Sequence, residues 1–208
     1  MLDSILGANP EVRRVQSQAA RAIFRLGIGA NIATIAGVTI GVAAGIAFGR
    51  GNVIWGIALL LLSAALDAID GTIARECAAP SALGGVLDLC GDRIVEAAVI
   101  VGIVWHEPAL YFPALVLVGS WYVNITVFLV VGAALEQRGP KLIEYPPGML
   151  ERTEAIIFFI VLAIAAAMPI PREIAALLCY AMTILEIVTG AQRLIFGIRE
   201  LRAFAPNG

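Results

Sequence analysis

At 208 residues the chain is long enough for one domain of ordinary size, yet 60% of its residues are apolar and only 14% are charged. A mean hydropathy of +0.91 excludes a water-soluble globular protein; a net charge of −2 says little by itself in such a chain, and no nucleic-acid partner is expected. The class left is an all-α, polytopic integral membrane protein.

Residues 1–29 read as an N-terminal cytoplasmic segment. The opening MLDSILGANPEVRRVQ lacks a basic stretch followed by an apolar core, so no cleavable signal peptide is expected. Between Pro10 and Gly27, Val12, Val15, Ala19, Ala22, Ile23 and Leu26 recur mostly every three or four residues, with arginines on the remaining faces. That spacing predicts an amphipathic helix lying in the headgroup region, with Pro10 suited to its first turn. A solvated helix packed on the loops is the alternative.

About 20 mainly apolar residues cross a hydrocarbon core. The sequence offers six such stretches, 30–48, 53–75, 84–105, 109–135, 153–170 and 174–198, the last interrupted by Glu186. They make a six-helix transmembrane domain over 30–198 and leave 199–208 as a cytoplasmic tail. In the first stretch, Gly37, Gly41 and Gly45 have the spacing that lets helices approach closely. Of the 14 Lys and Arg residues, only Arg50 and Arg172 fall on the side opposite the termini. The positive-inside bias therefore predicts cytoplasmic termini in a cell (inner) membrane. Cys77, Cys90 and Cys179 form neither a CxxC pair nor a zinc set and read as packing residues.

Asp67 and Asp70 are three apart at the end of the second stretch, and Asp88 and Asp92 are four apart near the start of the third. Each pair projects from one helical face, and an antiparallel hairpin through 76–83 brings both pairs to similar depth. Ionised carboxylates this close repel strongly in a low dielectric, so protons or cations must neutralise them. Oxygen-only donors without His or Cys suit magnesium, manganese or calcium. Two such ions can clamp a phosphate during displacement, with Arg75 placed to hold the anion. The alternatives are a structural ion pair, or an ion or proton path in a divalent-cation transporter or channel. A transporter site more typically lies at the bilayer midplane, whereas these carboxylates gather toward one face.

The run Asp67-x2-Asp70-Gly71-x2-Ala74-Arg75-x8-Gly84-x3-Asp88-x3-Asp92 resembles the signature of the CDP-alcohol phosphotransferase (phosphatidyltransferase) family, with eight fixed residues over 26 positions. The resemblance implies a membrane transferase that joins an alcohol to the phosphoryl group of a CDP-linked donor and releases CMP. It also implies a homodimer and a cytoplasmic active site within 30–198. By position, Asp67, Asp70, Asp88 and Asp92 would hold two divalent cations, Mg2+ or Mn2+, with Asp92 also the general base for the acceptor hydroxyl. Gly71, Ala74, Arg75 and Gly84 would line the CDP site. Asn31 and Thr34 resemble the family's Asn-x2-Thr at the same place, without the usual preceding proline.

So apolar a chain favours a lipid donor, CDP-diacylglycerol or an archaeal equivalent. GMLERTE (148–154) and TGAQR (189–193) resemble segments of the phosphatidylinositol phosphate synthase branch, in which arginines matching Arg152 and Arg193 grip the acceptor's phosphate. A guanidinium fork suits that task; snorkelling to the interface is the alternative. Inositol phosphate is therefore the expected acceptor, with glycerol 3-phosphate, serine or free inositol as alternatives. In SWYVNITV (120–127), Asn124 and Thr126 stand where that branch carries further basic residues, which opens the pocket to a less charged alcohol. His106 reads as an outer-loop residue, Glu96 as either a further cation ligand or a group behind the site or between helices, and Glu186 as the partner of an arginine or hydroxyl.

Overall fold

The computed structural model of the protein describes residues 9–78, 81–136 and 152–203, which form seven α-helices and one 3-10 turn, with no strand among the described residues. Helix α1 (Pro10–Arg25) starts where the Asn9 side chain accepts the Glu11 N–H at 2.9 Å and Pro10 takes the first turn. It is followed by Gly27 at φ +82°, a left-handed conformation that glycine adopts without strain. Ala20 of α1 is buried with Ala33 and Ile73. Beside them, the Ser17 hydroxyl donates to Glu76 at 2.6 Å and Arg21 pairs with the same carboxylate at 3.3 Å. These contacts fasten α1 to the end of the helix that carries Asp67 and Asp70.

Helices α2 (Ala30–Gly49), α3 (Val53–Glu76) and α4 (Ala82–His106) form the most closely packed group. The glycine stripe of α2 explains the closeness. A β-carbon at Gly41 would stand 2.5 Å from Val95 Cγ2, and one at Gly45 would collide with the Ala98 carbonyl. Ser63 of α3 donates to the Gly37 carbonyl at 2.8 Å, so a buried hydroxyl is satisfied by the neighbouring helix. The α2–α3 turn uses Gly51 at φ +74°, and Asn52 then accepts the Trp55 N–H at 3.4 Å.

After the 3-10 turn Pro108–Leu110, α5 (Tyr111–Glu136) packs along α7 (Arg172–Ala203), with Gly197 seated against Val131. Helix α6 (Arg152–Ala167) joins the two groups. Its buried Phe159, Leu162 and Ala166 share one core with Leu60, Val99, Ile103, Cys179 and Met182, and Trp121 meets Phe159 edge-on at 5.7 Å. Outward-facing surfaces remain apolar, and Trp55, Trp105, Tyr111 and Phe112 are exposed at helix ends, where interfacial aromatics gather in membrane proteins.

Among the described residues, four helical segments are long and apolar enough to cross a membrane: Ala30–Gly49, Val53–Glu76, Pro108–Leu135 and Arg172–Ala203. Helix α4 has 25 residues but carries Asp88, Asp92, Arg93 and Glu96. Helix α6 has 16 residues, a length of ~24 Å at ~1.5 Å per residue. It stops at Ala167 rather than at the expected 170, because Pro169 disfavours the helical conformation for Met168 and Pro171 follows at once. The last helix runs to Ala203 rather than 198, so the first five residues of the expected tail are helical.

Candidate functional site

An open cleft of about 570 Å³ lies between the start of α2, the end of α3 and the start of α4. Asn31 and Thr34 line it from α2; Asp70, Gly71, Ala74 and Arg75 from α3; Ser81, Gly84 and Asp88 from the α4 side. All six residues expected to contact CDP are thus walls of one cavity, drawn from three helices.

Each wall has a local cause. Ser81 caps α4, its Oγ accepting the Gly84 N–H at 3.0 Å. Arg75 lies back along its own helix, with Nη2 3.4 Å from Thr72 Oγ1. A β-carbon at Gly71 would sit 3.2 Å from Arg75 Nη1, so the glycine gives the guanidinium room beside the cleft. The Thr34 hydroxyl donates to the Ala30 carbonyl at 3.0 Å.

Asp67, Asp70 and Asp88 each offer a carboxylate oxygen, all within 4.8 Å of one another. Two ligands ~2.1 Å from one ion stand up to ~4.2 Å apart when opposite each other, so this group is close to the spacing that a single hard cation requires. Three ionised groups at this distance repel by ~3.5 kcal/mol per pair at an effective dielectric constant of ~20. A divalent cation relieves that repulsion directly. The donor set, all oxygen, fits magnesium or manganese.

Asp92 is not one of this mutually close group. One turn further along α4, it lines a neighbouring cavity of about 30 Å³ with Ser63, Glu96 and Phe159. Glu96 pairs with Arg93 at 2.7 Å, and His106 ends α4 against Gly51.

Arg193 is not among the residues lining the cleft. It sits between α5 and α7, with Nη1 donating to Asn124 Oδ1 at 3.0 Å and its guanidinium 5.1 Å from the centre of the Phe128 ring. The amide nitrogen of Asn124 donates in turn to Glu186. Glu186 thus has a polar partner, though it is an amide rather than the arginine or hydroxyl expected, and Asn124 is engaged within the protein. Thr126 donates to the Tyr122 carbonyl of its own helix at 2.7 Å. Arg152 begins α6, but its side chain lies outside the described residues.

Sequence reasoning missed Ser81, Gly29 and Gly85 as walls of the cleft. Ser81 carried a findable signal, a serine immediately before a helical apolar run. The Ser17–Glu76 bond joins residues 59 apart and has no local signal.

With this geometry, the chain belongs to the CDP-alcohol phosphatidyltransferase family, whose model matches residues 28–191. It is 30% identical to the phosphatidylinositol phosphate synthase of Corynebacterium glutamicum over 178 residues, covering 85% of this chain and 80% of that protein. It is also 30% identical to the archaetidylinositol phosphate synthase of Pyrococcus horikoshii over 189 residues, covering 90% and 97%. Two crystal structures of the Mycobacterium tuberculosis phosphatidylinositol phosphate synthase share the fold at 23% identity. One, with CDP-DAG bound, has a TM-score of 0.76 over 94% of this chain and 99% of that one. The other, with manganese and citrate, has a TM-score of 0.75 over 93% of each. Membership of a transferase family gives no support to the cation-transporter or channel alternative.

Proposed function

We propose that the protein moves a phosphatidyl-type group from a CDP-linked lipid, CDP-diacylglycerol or its archaeal analogue, to inositol phosphate, releasing CMP. The observation that carries this reading is the convergence of Asp70, Asp88, Arg75, Gly71, Gly84 and Asn31 on one cleft. The inositol phosphate synthases among its relatives favour that acceptor over glycerol 3-phosphate, serine or free inositol.

In this mechanism Gly71, Ala74 and Gly84 let the nucleotide approach the backbone, with Asn31 and Thr34 on the facing helix and Arg75 on the diphosphate. Asp67, Asp70, Asp88 and Asp92 hold two divalent cations, Mg2+ or Mn2+. When bound, the cations neutralise the diphosphate and make CMP a better leaving group. The acceptor hydroxyl attacks the phosphorus that carries the lipid. A new P–O bond forms, the bond to the CMP phosphate oxygen breaks, and Asp92 takes the hydroxyl proton. Arg152 and Arg193 bind the phosphate of the acceptor, fixing its orientation before attack.

The same reading gives the chain six spans, α4 and α6 completing the four strongly apolar ones, with α1 as an amphipathic helix at the membrane surface. Residues 1–29 and 199–208 flank the catalytic domain on the cytoplasmic side of the cell membrane, and the enzyme works as a homodimer.

The test is CMP release from CDP-diacylglycerol by the purified protein with magnesium or manganese, offered inositol 1-phosphate, glycerol 3-phosphate, serine and inositol in parallel. Release with inositol 1-phosphate supports the proposal. Folded protein that releases no CMP with any acceptor would sink it.

A further inference from the structure

Asn124 and Glu186 are both buried, each 8% exposed, in a chain whose core is mainly apolar. Buried polar groups at helix–helix contacts are costly unless paired, and here the pairing is directional. Asn124 Nδ2 donates to a Glu186 oxygen, while Asn124 Oδ1 accepts from Arg193 Nη1 at 3.0 Å. An arginine has no lone pair to offer, and a carboxylate has no hydrogen. The two neighbours therefore fix which way the amide points. Leucine would serve neither partner, aspartate has no donor for Glu186, and lysine has no acceptor for Arg193.

One turn beyond Asn124, Phe128 presents its ring to the guanidinium at 5.1 Å. Helix α5 thus grips Arg193 at two points, an edge and a face. On α7, Gly190 faces Asn124, and a β-carbon there would come within 3.6 Å of Asn124 Oδ1. The grip takes one of five guanidinium N–H groups and one face; bidentate phosphate recognition takes two other N–H groups.

Resting on the proposal that Arg193 binds the acceptor's phosphate, we infer that Asn124 is a positioning residue for acceptor recognition, acting with Glu186 to hold the guanidinium at a fixed angle. It touches no substrate. Its effect falls on acceptor affinity and leaves the donor site, built by α2, α3 and the start of α4, unaffected.

The experiment compares Asn124→Leu, Glu186→Ala, Glu186→Gln, Arg193→Ala and Asn124→Leu/Arg193→Ala in purified full-length protein. KM is measured for inositol 1-phosphate and for CDP-diacylglycerol. Asn124→Leu and Glu186→Ala are expected to raise the acceptor KM roughly tenfold, the equivalent of ~1.4 kcal/mol, with the donor KM unchanged. Glu186→Gln keeps an oxygen for the Asn124 amide and restores most of the loss seen with Glu186→Ala. In the double variant, Asn124→Leu adds nothing to Arg193→Ala. Equal effects on both KM values, or full additivity in the double variant, overturn the inference while leaving Arg193 as an acceptor group. An unchanged acceptor KM in Arg193→Ala overturns that underlying reading, and the inference falls with it. Should Asn124→Leu not fold, Phe128→Leu carries the same comparison: a raised acceptor KM supports the grip, and an unchanged one overturns it.

Discussion

Gly84 on α4 faces Asn31 on α2 across the cleft: a β-carbon on the glycine would stand 3.3 Å from Asn31 Oδ1 and 3.1 Å from Ser81 Oγ. Both residues line the cleft, and even a β-carbon at Gly84 would press on its neighbours. Gly84→Leu should crowd the cleft and raise the KM for the CDP-linked lipid by roughly tenfold or more, at least ~1.4 kcal/mol, with little change in the acceptor KM. Steady-state kinetics with each substrate varied in turn check this; an unaltered donor KM would remove Gly84 from the nucleotide site.

The three gathered carboxylates predict a stability effect that needs no turnover. Manganese at ~100 times its dissociation constant should stabilise the folded protein by ~2.7 kcal/mol, raising the melting temperature in detergent. Asp67→Asn/Asp88→Asn should abolish the rise. A chelator should stop CMP release, and either magnesium or manganese should restore it. A melting temperature indifferent to both ions would show that the group binds neither.

Asp92 is assigned both a place among the cation ligands and the proton-accepting role, and three carboxylates, Asp67, Asp70 and Asp88, remain grouped without it. Asp92→Asn should cut CMP release by ~10²–10⁴-fold, the usual span for a lost general base. Binding of CDP-diacylglycerol, followed by titration, should stay measurable. A rate near that of the unaltered protein would remove the proton-accepting role.

Two glycines of one stripe should behave oppositely. At Gly45 an added methyl would run into the Ala98 carbonyl, a backbone atom that cannot step aside, whereas at Gly37 the nearest atom is Leu66 Cβ at 3.4 Å, an ordinary contact. Gly45→Ala should cost ~1–3 kcal/mol by overpacking. Gly37→Ala should be neutral or gain some of the ~1 kcal/mol by which alanine surpasses glycine in a helix. Melting temperatures of the two variants, taken side by side, decide it.

The acidic signature was legible in the sequence because its spacing is local: Asp67 and Asp70 are less than one turn apart, and Asp88 needs only a short antiparallel return to join them. Asp92 lies on the same face one turn on, ~6 Å further along the helix, and lines the adjoining cavity with Ser63 and Glu96. Asn124 shows the limit of such reasoning. From sequence it reads as a less charged contact for the acceptor, yet its amide joins residues 62 and 69 positions away, and no local pattern encodes that pairing. The early end of α6 was legible after all, since Pro169 and Pro171 are helix-breaking signals that the apolar run obscured.

The contact between α2 and α4 changes character along its length. Around Asn31 and Gly84 the helices leave a gap, but from Val38 against Gly91 to Gly45 against Ala98 they are pressed together with no slack. The pair is shaped like a wedge whose closed end is a fulcrum. Any breathing at the mouth must pivot there or pry apart two backbones. The closed end therefore resists opening, and differences in headgroup or chain bulk are absorbed at the rim.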